Sequence, residues 1–258
     1  MILMTTRSLA LLKWLNAVTF IVVVFVNGLA SSTTLIGGKT TAQISDANPT
    51  LITPAGYVFS IWGVIYVLLG VFVVFQALPS EKGREFREKV GWFFIISNIL
   101  NIVWLFLWQF EYLFLSVIIM FLLLATLILI YLRLEIGKSK VQLYEKIAFH
   151  LPFSVYLGWI TIASIANIAA TLVSVNWNGF GISPEAWAII IITIALLITI
   201  SVVLTRKDIA YGLVVIWALL GIIVKQSLNQ NIVIATEISV VILAITLIFT
   251  MLISRLKH

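Results

Sequence analysis

The chain contains no cysteine. That excludes disulfides, thiolate-ligated metals and cysteine nucleophiles, and leaves the redox compartment open. Histidine is nearly absent too: only His150 and His258 occur. Both sit at apparent helix ends, which argues against a buried histidine-ligated metal or haem. Charge is scarce, at 10% of 258 residues, while 62% are hydrophobic. No soluble core can bury that much apolar surface, so the fold class expected is all-α, a polytopic transmembrane helix bundle. The spans hold no paired carboxylates, catalytic histidine or metal-ligating cluster. Conventional hydrolase or metalloenzyme chemistry is therefore disfavoured.

A membrane-spanning helix needs about 20 apolar residues. On that rule the expected helices are 9–30, 55–77, 91–109, 112–134, 147–174, 185–204, 209–225 and 231–254, the seventh being short. The connections alternate in charge. One side collects 14 of the 16 basic residues: Arg7, Lys13, Lys82, Arg84, Arg87, Lys89, Arg133, Lys138, Lys140, Lys146, Arg206, Lys207, Arg255 and Lys257. The other keeps Lys39 and Lys225. The positive-inside bias then places both termini in the cytoplasm and gives eight spans, in a multi-pass protein of the cell membrane. The basic residues orient the chain in its lipid bilayer and do not point to nucleic acid. Arg7 and Lys13, followed by an apolar run ending Gly28-Leu29-Ala30, also fit a signal peptide. The length of the run favours a retained helix.

Residues 31–54 form the longest connection, rich in Ser, Thr and Gly. They read either as a flexible tether or as a lid. Directly after them, Pro54 and Gly56 lead into a helix with Ala55, Phe59, Trp62 and Tyr66 at offsets 0, 4, 7 and 11. At 3.6 residues per turn these share an arc of about 60°. The third helix repeats the spacing with Ser97, Asn101, Trp104 and Trp108. The fifth does so with Trp159, Ala163, Ala166 and Ala170, with Asn167 on its flank. All three stripes fall in the outer half of the bilayer. Plain readings stand beside this one. Trp108 can belong to the interfacial aromatic belt. Asn98, Asn101 and Asn167 can simply bond neighbouring helices, and the alanines can permit close packing. Rings facing small residues make either a tight interlock or a slot for a flat apolar ligand.

At these residues the chain resembles the tryptophan-rich sensory protein/translocator protein (TspO/MBR) family. Pro54, Gly56, Phe59, Trp62 and Tyr66 match its second-helix segment, with Ala55 at its second proline. Leu100-Asn101-Ile102-Val103-Trp104 match its third-helix motif, and Tyr156-Leu157-Gly158-Trp159, Ala163 and Asn167 its fifth. The resemblance covers about residues 9–178. It implies a five-helix core whose pocket is capped by the first loop and lined by Trp62, Tyr66, Asn101, Trp104, Trp159, Ala163 and Asn167, with Phe59 and Trp108 beside them. It also implies a small-molecule binding or sensory protein whose ligand is a tetrapyrrole, protoporphyrin IX or haem, with no required cofactor. Transport of such molecules and light-dependent porphyrin breakdown are the alternatives it carries. Many members form homodimers.

Residues 179–258 lie beyond that core, which spans 1–178, and form a three-helix extension. Glu237 is an intramembrane carboxylate, functional by default. It reads as the partner of Lys225 in a structural ion pair, as a snorkelling glutamate, or as a proton-coupling group. Tyr211 and Trp217 read as belt or packing residues.

Overall fold

A chain this poor in charge can satisfy its backbone inside lipid only by winding into helices or closing a barrel. The computed structural model, which describes residues 6–256, shows helices throughout and, among the described residues, no strand. Lys257 and His258 lie outside the described residues. The order is α1 (Thr6–Ser32), α2 (Thr41–Ala47), a 3-10 turn (Gly56–Ser60) running into α3 (Ile61–Ala77), α4 (Glu81–Val90), α5 (Phe93–Gln109) and α6 (Leu113–Arg133). There follow α7 (Leu143–Glu145), a π turn (Lys146–His150), α8 (Leu151–Ser174), a 3-10 turn (Gly179–Gly181), α9 (Pro184–Arg206), α10 (Ile209–Lys225) and α11 (Gln230–Leu256).

Apolar helices occupy all eight expected positions, but length separates them. Six are long and apolar enough to cross a membrane. A seventh span results if α4 and α5, bent by 55°, are taken as one. The remaining helix, α10, has 17 residues, about 26 Å at 1.5 Å per residue against a hydrocarbon core of about 30 Å. The count of eight spans is therefore corrected to six or seven by length.

Local chemistry sets the boundaries. Ser183 caps α9, its hydroxyl accepting from the Ala186 N–H, with Pro184 in the first turn. Asp208 caps α10 through the Tyr211 N–H at 3.1 Å. Ser80 caps α4, an amphipathic helix where a basic loop was expected; it turns Phe86 and Val90 inward and leaves Arg84 exposed. In the π turn, the Leu151 N–H reaches back to the Lys146 carbonyl. This widened turn comes directly before Pro152, which has no N–H to continue a regular ladder.

The chain divides into two compact units interleaved in sequence: the segment up to Thr41 with Trp62–Leu157, and Ala42–Ile61 with the segment from Gly158 on. In the first, α5 packs on α1 and α6, and α4 on the same two helices. Polar pairs run along the α1–α5 contact: the Asn98 amide donates to the Thr19 hydroxyl at 3.1 Å and the Asn27 amide to Asn101 Oδ1 at 2.7 Å. A phenylalanine cluster fills the core, Phe72 meeting Phe94 at 4.9 Å and Phe153 at 5.0 Å. In the second unit α9, α10 and α11 pack on one another, and the Gly56–Ser60 turn packs on α10.

The 31–54 connection is held within each unit. In the first, the Gln109 amide donates to the Ile36 carbonyl at 3.1 Å and the Lys39 carbonyl at 2.8 Å. Gly37 makes this possible. Its φ is +73°, and a Cβ there would stand 2.2 Å from the Gln109 carbonyl oxygen. Lys39 and Lys225, the two cations expected outside, each pair with a carboxylate: Lys39 with Glu111 at 2.6 Å, Lys225 with Asp46 at 2.8 Å.

Candidate functional site

Trp62 and Tyr66 stand one turn apart on α3, and their rings stack at 5.7 Å with planes 18° apart. Across the helix contact Trp62 meets Trp104 of α5 at 6.1 Å, and Trp104 continues to Trp108 at 6.0 Å. The result is one continuous ladder, Tyr66–Trp62–Trp104–Trp108. It exists because the four-residue step along a helix repeats a side chain on nearly the same face. Tyr156 closes its flank, edge-on to Trp62 at 5.9 Å.

Hydrogen bonds lock the ladder's frame. Asn101, fully buried, accepts from Asn27 and donates to the Tyr156 hydroxyl at 3.0 Å. Trp108, also buried, donates its indole N–H to the Thr41 carbonyl at 3.3 Å. It is thus packed inside the unit. Asn98 and Asn101 behave as helix-bonding amides, the plainer of the two readings. In membrane interiors such bonds are worth about 0.6 kcal/mol on average and up to about 1.7.

Two hydroxyls at this ladder lack a partner of full hydrogen-bonding geometry, both shielded from solvent: Tyr66 Oη, which interacts only loosely with the Asn101 side chain, and Thr41 Oγ1. An unsatisfied buried hydroxyl is costly, about 1–3 kcal/mol by mutational measures. Tyr66 stands at one end of the ladder, and Thr41 touches Trp108 at the other. The rings themselves interlock. A flat molecule sandwiched between two of them needs about 7–8 Å, twice a van der Waals contact. At 5.7–6.1 Å the rungs leave no room for one between them.

The second unit holds the rest of the expected set. Phe59, on the 3-10 turn before α3, meets Trp159 of α8 edge-on at 6.0 Å. Trp159 and Asn167 are buried, and Ala163 between them is half-buried. Asn167 accepts the Thr171 hydroxyl at its carbonyl, 2.8 Å away. Tyr211 packs against α8, its hydroxyl 3.0 Å from Thr161 Oγ1. Trp217 donates its N–H to the Val58 carbonyl at 3.1 Å.

The expected Lys225–Glu237 pair is not the one formed. Lys225 ends α10 and bonds Asp46 of α2, while Glu237 lies exposed on α11. The 31–54 connection brings a nearer carboxylate to Lys225, which spacing between α10 and α11 alone does not reveal.

Tyr156, Asn27, Asp46 and the Trp217–Val58 bond were not among the expected site residues. Tyr156 carried a signal, since it stands three residues before Trp159 in a motif already singled out. Asn27 carried a weaker one, as an amide inside an otherwise apolar run. The pairings of Asp46 and Trp217 join residues more than 150 positions apart, beyond any periodicity.

No curated protein and no solved structure matches this chain. A family model does, and its match runs through α9, α10 and α11. That model, described as TSPO-like protein, matches residues 13–253, and the chain is a member of this family and a multi-pass membrane protein.

Proposed function

We propose that this protein binds a flat, largely apolar small molecule against the Tyr66–Trp62–Trp104–Trp108 ladder, and that a tetrapyrrole of the protoporphyrin or haem type is the ligand. The observation that carries the reading is the ladder with a buried, incompletely satisfied hydroxyl at Tyr66 and an unpartnered one at Thr41. Rings offer a polarisable face for stacking, and the hydroxyls offer hydrogen bonds to polar groups at a ligand's rim. Asn101 supports the reading by rigidity, since its bonds to Asn27 and Tyr156 hold the wall in place. Family membership supports the same class of function. Phe59, Trp159, Ala163 and Asn167 form a separate aromatic and amide face in the second unit, which we propose as a further ligand contact.

The test is titration of the purified protein with protoporphyrin IX, read by quenching of tryptophan fluorescence. Saturable quenching is expected. One ring–ring contact is worth about 0.5–1.5 kcal/mol, so Trp62→Ala or Trp104→Ala should weaken binding roughly 2- to 13-fold. Trp159→Phe tests the second face by itself. Quenching that never saturates, or that is indifferent to Trp62 and Trp104, defeats the proposal.

A further inference from the structure

Trp217, Gly221 and Lys225 recur at steps of four on α10, one stripe of that helix. Each grips the segment that precedes Trp62. Trp217 donates its indole N–H to the Val58 carbonyl at 3.1 Å, and Tyr57 packs edge-on against the same ring at 5.3 Å. The Gly221 carbonyl accepts the Ala55 N–H at 3.0 Å. A Cβ on Gly221 would lie 2.1 Å from Val58 Cγ2 and 3.1 Å from Pro54 Cβ, so this approach is open to glycine alone. Lys225 bonds Asp46 at 2.8 Å, and its neighbour Gln226 donates to the Thr50 carbonyl at 3.0 Å.

These contacts are graded. Val58, gripped by Trp217 and Gly221, is fully buried. The Lys225 and Asp46 side chains are 39% and 47% exposed, so water and salt reach that end. The grip is made to the backbone at Ala55 and Val58, and Phe59 follows immediately on the same 3-10 turn. Phe59 in turn faces Trp159.

We propose that α10 is a latch on residues 46–58: Trp217 and Gly221 are positioning residues that set Phe59 against Trp159, and the Lys225–Asp46 pair is the end that releases. The functional consequence rests on the reading that the Phe59–Trp159 face meets the flat ligand; the latch itself does not. Loosening the tip speeds both arrival and departure of that ligand. Loosening the inner grip moves Phe59 and weakens binding.

Hydrogen exchange on the full chain in detergent micelles, read by mass spectrometry, tests the latch without a ligand. Trp217→Phe keeps a ring for Tyr57 and removes only the N–H. Exchange across 54–60 should rise at least threefold, with α5 peptides unchanged. Lys225→Asp should raise exchange across 44–52 by roughly two- to fivefold, the scale of an exposed ion pair. The swap Asp46→Lys with Lys225→Asp should restore the original rate, which a merely structural role for either side chain would not do. In parallel, protoporphyrin IX association should quicken in Lys225→Asp and return in the swap. Unchanged exchange in Trp217→Phe, or a swap that fails to restore it, overturns the latch. If the exchange results hold but unmodified protein gives no saturable quenching, the latch stands and the ligand reading falls.

Discussion

Tyr66 is the residue on which the proposed site turns. Its ring is committed to Trp62, and its buried hydroxyl interacts with the Asn101 side chain without reaching full hydrogen-bonding geometry. Folding therefore carries an incompletely compensated desolvation of a polar group, of at most about 1–3 kcal/mol. Removing the hydroxyl removes that cost while keeping the stack. Tyr66→Phe is expected to raise the stability of the ligand-free protein by about 1 kcal/mol, a Tm increase of a few degrees. The same change should weaken protoporphyrin IX several-fold if the hydroxyl is a ligand contact. Thermal unfolding with and without ligand measures both, and a loss of ligand-free stability would show that Tyr66 is already satisfied. Asn101 sits at the opposite extreme. Both ends of its amide are engaged, to Asn27 and Tyr156.

At the scale of elements, one contact sets how near α10 comes to the 3-10 turn at Gly56–Ser60. Gly221 lies against Val58 with no room for a methyl group, and Val58 is fully buried and cannot swing clear. Gly221→Ala should therefore cost about 1–3 kcal/mol by overpacking. Val58→Ala alone should cost about 1–2 kcal/mol for the lost buried methyls. Together they should cost clearly less than their sum, because the truncated Val58 vacates the space that the new Cβ needs. Chemical denaturation of the four proteins closes this cycle, and simple additivity would place the close approach elsewhere. The π turn at Lys146–His150 and the 55° bend between α4 and α5 are further breaks in regular geometry. One comes directly before Pro152, the other at Gly91, whose φ is +56°.

For the whole molecule, the open matter is which side each loop faces. Charge alternation, with α10 counted as crossing, predicts the loops at Ser227 and Lys138 on opposite sides of the membrane and Ser227 outside; if the 17-residue α10 does not cross, the two loops share a side. The chain offers a clean background, since it has no cysteine. Ser227→Cys and Lys138→Cys both lie at exposed positions. In intact cells a membrane-impermeant maleimide is expected to label Ser227→Cys and to leave Lys138→Cys unlabelled until the membrane is opened. Equal labelling of both before permeabilisation would overturn the orientation.

Much of this protein was legible in its residues. Long apolar runs can only be helices in lipid, because unsatisfied backbone groups are too costly there, and all eight helices stand where hydropathy puts them. The four-residue spacing of Trp62 with Tyr66 and of Trp104 with Trp108 foretold the ladder, since helical periodicity alone puts such residues on one face. That α4 is an amphipathic helix was also written in its charges, though it read as a loop. What spacing cannot supply is a partner in another element. Only the tertiary structure decided that Asn101 bonds Asn27 and Tyr156, that Lys225 takes Asp46 and not Glu237, and that Gly221 exists to admit Val58. Each of these depends on which helix faces deliver donors, charges and empty space to within a few ångströms. That is a property of packing, and no single helix carries it in its sequence.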